Sequence, residues 1–145
     1  MKRHLNIPMA IMVLVGALIV GAHAQSSSAQ KVIANIPFEF NVGERLLPAG
    51  KYTITVTNPS SDRKILQIRS LDGRASAMLL TTSVLGNAAD NAKLVFHRYA
   101  DRYFFAQAHM AGDSTSLAAM KSKAERAEGQ TIAKAQKTVV VIRAE

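Results

Sequence analysis

Apolar and polar residues alternate strictly where the chain first becomes fold-forming. Within Ala34 to Thr57, Ile36, Phe38, Phe40 and Val42 fall on one face of an extended strand, with Asn35, Pro37, Glu39 and Asn41 on the other. A period of two over this length predicts a half-buried strand rather than a helix. The return repeats it, with Tyr52, Ile54 and Val56 on one side and Thr53, Thr55 and Thr57 on the other. β-Branched and aromatic residues suit such a pleated, half-covered surface. Pro37 has no amide hydrogen for a ladder, so the first strand is expected at a sheet edge, or bent or bulged there. Gly43 and Pro48-Ala49-Gly50 supply turn chemistry between the two strands, and Leu46 and Leu47 are expected to tuck under the sheet.

The pattern continues as hairpins. Asn58-Pro59-Ser60-Ser61-Asp62 is a turn. Lys64 to Ser70 is a third strand, whose Ile65, Leu66 and Ile68 do not alternate and so leave its facing open. Asp72-Gly73 turns the chain into a fourth strand, Ala75 to Thr82, followed by a loop from Ser83 to Asn91. Lys93 to Tyr99 and Tyr103 to Met110 form a second hairpin across Ala100-Asp101-Arg102, which sets Tyr99 opposite Tyr103 and His97 opposite Phe105. Both of its faces are largely apolar, as in a central strand pair covered on both sides. The vocabulary then shifts to Ala, Lys, Glu and Gln, predicting a helix over about 117–136. Ser122-x-x-Glu125 fits a capping box that would start it near Lys123. Thr138 to Arg143, T-V-V-V-I-R, is expected to be a last strand buried on both faces. The fold class that follows is mainly β: an antiparallel β-sandwich or open barrel of about seven strands with one α-helix in the C-terminal third.

The first residues do not belong to this fold. A basic start (Met1-Lys2-Arg3-His4), an apolar run from Ile7 to Val20 and the small-x-small Ala22-His23-Ala24 predict a signal peptide over 1–24. The apolar run falls short of the ~20 residues of a spanning helix, so no membrane span is expected in the mature chain. A polar flexible leader over 25–31 and a single β-rich domain over 32–145 would follow, in the periplasm or outside the cell. The chain has no cysteine, which removes thiol nucleophiles, thiolate metal sites and disulfides. Its formal net charge is +8, and loss of Lys2 and Arg3 would leave 8 − 2 = +6. The cations are scattered as on a solvated surface; the sharper reading is salt-sensitive attraction to an anionic envelope surface. No aromatic-interleaved basic motif argues for nucleic acid.

Catalytic chemistry is poorly provided for. His97 and His109 are the histidines of the expected domain, and in the expected register they lie four residues apart along one face, too far to share a metal ion. His97 assisted by Asp101 would be a base without an identifiable nucleophile. No G-x-S-x-G stretch, phosphate-binding glycine loop or convergent carboxylate pair is present. No catalytic, metal or cofactor residue is therefore assigned, and no cofactor is expected. One constellation stands out: His97, Arg98, Tyr99, Arg102 and Tyr103 gather around one turn. It reads either as a structural corner, with an arginine holding Asp101, or as a binding patch of the residue types enriched at recognition surfaces.

The segments A-N-I-P-F-E-F-N-V-G-E-R-L-L-P-A-G-K-Y-T-I, L-Q-I-R-S-L-D-G-R-A-S-A-M, K-L-V-F-H-R-Y-A-D-R-Y-F and K-S-K-A-E-R resemble an uncharacterised family of small exported β-rich proteins common in soil Acidobacteria. The resemblance spans nearly the whole expected mature chain. It implies a shared β-rich fold and transfers no activity, ligand or catalytic residue. The expected function is that of an exported, non-catalytic structural or interaction protein of the envelope, meeting another protein or an anionic surface. A binding module for a small apolar or carbohydrate ligand is the alternative, and a hydrolase around His97 stands last.

Overall fold

The computed structural model describes residues 30–131 and 137–145. The expected signal peptide, most of the polar leader and residues 132–136 of the expected helix lie outside the described residues. The described chain is mainly β, with one helix in its C-terminal third. In order it runs β1 (Lys31–Ile36), β2 (Phe40–Val42), β3 (Arg45–Leu47), β4 (Gly50–Val56), β5 (Lys64–Ser70), β6 (Ser76–Leu85), β7 (Lys93–Tyr99), β8 (Arg102–His109), β9 (Thr115–Ala119), α1 (Lys123–Thr131) and β10 (Thr138–Arg143).

The strands form one mixed sheet in the order β1-β4-β5-β6-β9-β8, which then branches. One branch continues through β2 to β3, the other through β7 to β10. All pairings are antiparallel except β2 with β8, which meet in parallel at Asn41 and Phe104. The ladder does not close into a barrel. Beyond the end of β10, however, Glu145 and Ile33 exchange two backbone hydrogen bonds of 2.8 Å and so tack the last residues to β1.

Pro37 divides the opening strand instead of merely bending it. β1 ends at Ile36, paired with Gly50 of β4, whereas β2 begins at Phe40 and belongs to β3 and β8. The apolar side of the pattern nevertheless carries across the break, with Ile36, Phe40 and Val42 buried and Phe38 half-buried, although Asn41, expected to face outward, is buried too. Of the two leucines expected beneath the sheet, Leu47 is buried and Leu46 is exposed.

Three further expectations are corrected. Thr115–Ala119, expected as loop and early helix, is strand β9, because it lies between β6 and β8 and both neighbours satisfy its backbone. The helix starts at Lys123, as the capping box expects, with the Ser122 Oγ accepting the Glu125 N–H at 3.0 Å. Its first helical N–H, that of Lys123, donates to the Glu44 carboxylate at 2.7 Å. The β7–β8 turn is one residue tighter than expected, pairing Tyr99 with Arg102 and His97 with Phe104, with Ala100 at a left-handed φ of 50°. A bulge between Val95 and Phe96 restores the expected Lys93–His109 pairing farther along. Finally, β10 is covered on one side only, with Val139 and Val141 55% and 52% exposed.

The core is centred on aromatic contacts. Phe96, fully buried, meets Phe38, Phe40 and Phe105 edge-on at centroid distances of 5.2, 5.4 and 5.8 Å. Phe40 in turn meets Tyr52 of β4 at 5.2 Å. The Tyr52 hydroxyl donates to the Pro48 carbonyl at 2.6 Å, so its burial leaves no polar atom unpaired. Replacing Phe96 by alanine should cost about 3–5 kcal/mol of stability through cavity and transfer terms, whereas Met78→Ala, at an exposed site on β6, should stay within about 0.5 kcal/mol. Urea unfolding of the two variants measures both.

Candidate functional site

The outward face of the β7–β8 hairpin carries the one buried carboxylate among the described residues. Local sequence explains its position. Ser122 caps α1, and the third helical residue, Glu125, points down onto the sheet. Glu125 is 4% exposed. In a full capping box its carboxylate would turn back to the cap residue's own N–H. Here Oε1 instead lies 2.7 Å from His97 Nδ1 and accepts the Tyr99 hydroxyl at 3.2 Å. His97 and Tyr99 are alternate residues of β7, so both project toward the helix.

Around this centre the helix is held by charge and close approach. Arg102 pairs with Glu128 and lies over the Phe104 ring at 5.3 Å. Gly129 passes close above Tyr99: a Cβ there would stand 3.8 Å from the ring. That is ordinary contact, so its small size is not demanded by space. Phe104 and Tyr99 pack edge-on at 5.7 Å beneath α1.

Electrostatics follow from the burial. Desolvation works to raise the Glu125 carboxyl, but the hydrogen bond and charge of His97, the Tyr99 hydroxyl and nearby Lys121 outweigh it. The net result is a carboxyl held below its ordinary value. Burial and then the Glu125 charge push the Tyr99 phenol up. The carboxylate is thus ionised at neutral pH and Tyr99 is neutral, the combination in which a carboxylate accepts both hydrogen bonds.

The five residues singled out in the sequence do not form one surface. His97, Tyr99 and Arg102 face α1. Arg98 turns back on its own corner, donating from Nε to the Ala100 carbonyl at 2.7 Å and lying 3.7 Å from Asp101. Tyr103 stacks on Phe38 at 3.9 Å, and the Arg98 guanidinium lies over the Tyr103 ring at 5.6 Å. An arginine does hold Asp101, as the structural-corner reading expects, but the acid beside His97 is Glu125 and not Asp101. Glu125 was visible in the sequence only as a capping residue. Nothing in its spacing announced a partner on a strand 28 residues earlier.

Chemically, an imidazole oriented by a carboxylate could serve as a base. The hydroxyl bound beside it is Tyr99, which donates into the same carboxylate oxygen. Among the described residues no buried side-chain nitrogen or oxygen lacks a partner. No three His, Asp or Glu side chains converge there as a metal site would require. Compared with known protein families, curated proteins and solved structures, the chain matches none.

The sign of the pH dependence follows from the lowered Glu125 carboxyl. Its stabilisation is fully present above the ordinary carboxyl value of 4.5 and is lost as pH falls through the lower folded-state value. Acid should therefore release α1 before it disrupts the aromatic core. Glu125→Gln should remove about 2 kcal/mol at neutral pH, the scale of hydrogen bonds to a charged group, and flatten the acid limb of the stability curve. Chemical denaturation from pH 7 down to pH 3 would show both effects; an acid limb as steep as the wild type's would show that another carboxyl governs it.

Proposed function

We propose that this chain is an exported, non-catalytic interaction protein of the cell envelope, meeting its partner through its outer β surface. One observation carries the reading. The best-built cluster of titratable groups, Glu125 with His97 and Tyr99, spends its hydrogen bonds inside the fold, joining α1 to the sheet. What remains outward is a set of strand faces bearing single cations and isolated apolar side chains, among them Leu80, Val84, Val139 and Val141. Such surfaces suit recognition better than turnover. Export itself rests on the basic, apolar and small-x-small order of residues 1–24.

The ligand-module alternative draws less support. It calls for an enclosed apolar pocket. The groove beside Pro48, Tyr52 and Asp72, about 460 Å³, lies open at the surface. A more enclosed hollow beside Leu80, Thr81 and Met120 has only about 110 Å³, too small for a sugar or lipid chain. No helix among the described residues is long and apolar enough to cross a membrane.

An anionic partner makes the proposal testable. The protein should co-sediment with phosphatidylglycerol vesicles at about 0.01 M salt and be released at about 0.3 M, as the screening length shrinks below the reach of surface charges. Phosphatidylcholine vesicles should retain little at either salt. Absence of binding to the anionic vesicles at low salt would overturn the electrostatic form of the reading.

A further inference from the structure

Three nitrogen-bearing side chains stand in register across three adjacent strands. Arg143 of β10 pairs with Lys93 of β7, and Lys93 pairs with His109 of β8. Directly opposed residues of antiparallel strands project from the same face. Their neighbours Ile142, Leu94 and Ala108 pack into the core, so the row faces outward. We propose that this row is a binding site for a phosphate group. The proposal deepens the envelope reading above and rests on it for the physiological source of the ligand.

Like charges directly opposite across a sheet repel and destabilise it. Among the described residues neither Lys93 nor Arg143 has a carboxylate within ion-pair distance to offset that repulsion. The two cations line an open groove of about 400 Å³ together with Asp90, Asn91 and Val141. The wall of this groove is anchored. Ala89 bridges Ala111 and accepts the Gly112 N–H at 2.8 Å, while the Ala92 carbonyl accepts the Ala144 N–H at 2.9 Å. An ammonium and a guanidinium side by side offer donors to several oxygens, and His109 adds a third donor once it is protonated, matching a tetrahedral oxyanion better than a two-oxygen carboxylate. Asp90 is the one carboxylate on the rim, which favours a ligand whose charge is concentrated at the far side of the groove, over the row.

His109 gives the site a pH signature. Burial and then the Lys93 charge hold its imidazole below the ordinary value, so the empty site leaves it neutral at neutral pH. Gln107 Oε1 stands 3.2 Å from its Nε2, and Ser116 of β9 is its cross-strand partner. Lys93 is the charged group whose field reaches it, and the carboxylate of Asp113, four residues along the chain, is engaged with the Thr115 N–H at 2.8 Å. A bound phosphate offsets the Lys93 charge and favours the imidazolium, so His109 takes up a proton on binding, which opposes the loss of affinity that protonation of the phosphate itself brings as pH falls.

The test uses inorganic phosphate and vesicles on the same variants. Phosphate titrated at constant ionic strength should shift the amide resonances of Lys93, His109 and Arg143. Lys93→Gln/Arg143→Gln should weaken binding about tenfold or more, as expected for truncating hydrogen-bonded charge partners. Lys31→Gln/Arg69→Gln, which removes the same charge on β1 and β5, should leave it nearly unchanged. His109→Gln should make binding weaken more steeply as pH falls, leaving only the ionisation of the phosphate itself, and unchanged spectra elsewhere show that each variant is folded. Equal weakening by both double variants, or shifts that bypass the row, would overturn the site; anionic-vesicle binding surviving that result would leave the envelope reading standing. Phosphate binding at the row without vesicle binding would uphold the site for a free phosphate ester and remove the envelope source.

Discussion

Phe96 is where the molecule is joined. Its ring meets Phe38 and Phe40 from the opening segment and Phe105 from its own hairpin, and Phe40 carries the contact on to Tyr52 of β4. In the sheet order β4 lies apart from β2, β7 and β8. The ladder alone would leave β1-β4-β5 and the β7–β8 hairpin as distant parts of one long sheet. Edge-to-face packing folds those parts onto a common interior, and apolar burial supplies the driving force. Helix α1, the branch at β8 and the outer grooves are all arranged around the result.

Much of this was legible along the chain because strand periodicity is a local property. Ile36, Phe40 and Val42, and later Tyr52, Ile54 and Val56, face the interior as their alternation requires. What the pattern could not convey was partnership. A period of two marks which side of Phe40 is inside, but not that Pro37 sends it to β8 while Ile36 stays with β4. The same limit applies to Thr115–Ala119. Leu117-Ala118-Ala119 favours helix by propensity, yet lying between β6 and β8 satisfies its backbone on both sides. Tertiary pairing overrode local preference there.

The candidate site shows the limit from the other direction. His97, Tyr99 and Arg102 were conspicuous as residue types, and their clustering at a turn was real. Their meaning depended on Glu125, which local signals marked only as a capping residue. Once α1 is seated, that carboxylate turns a suggestive aromatic and basic corner into a fastening between layers. The tighter turn at Ala100 contributes as well, because shifting the register by one residue places Phe104 rather than Phe105 beside His97. Inward and outward residues of β8 near the turn are exchanged accordingly.

The backbone exchange between Ile33 and Glu145 sets a temporal order on assembly. Among the described residues, the outer edge of β1 receives this partner from Glu145. Until that residue has arrived, β1 presents an unpaired edge of the kind that invites association with other chains. Non-local pairing of this sort is slow to form, so the β1 edge is among the last parts of the fold to be covered.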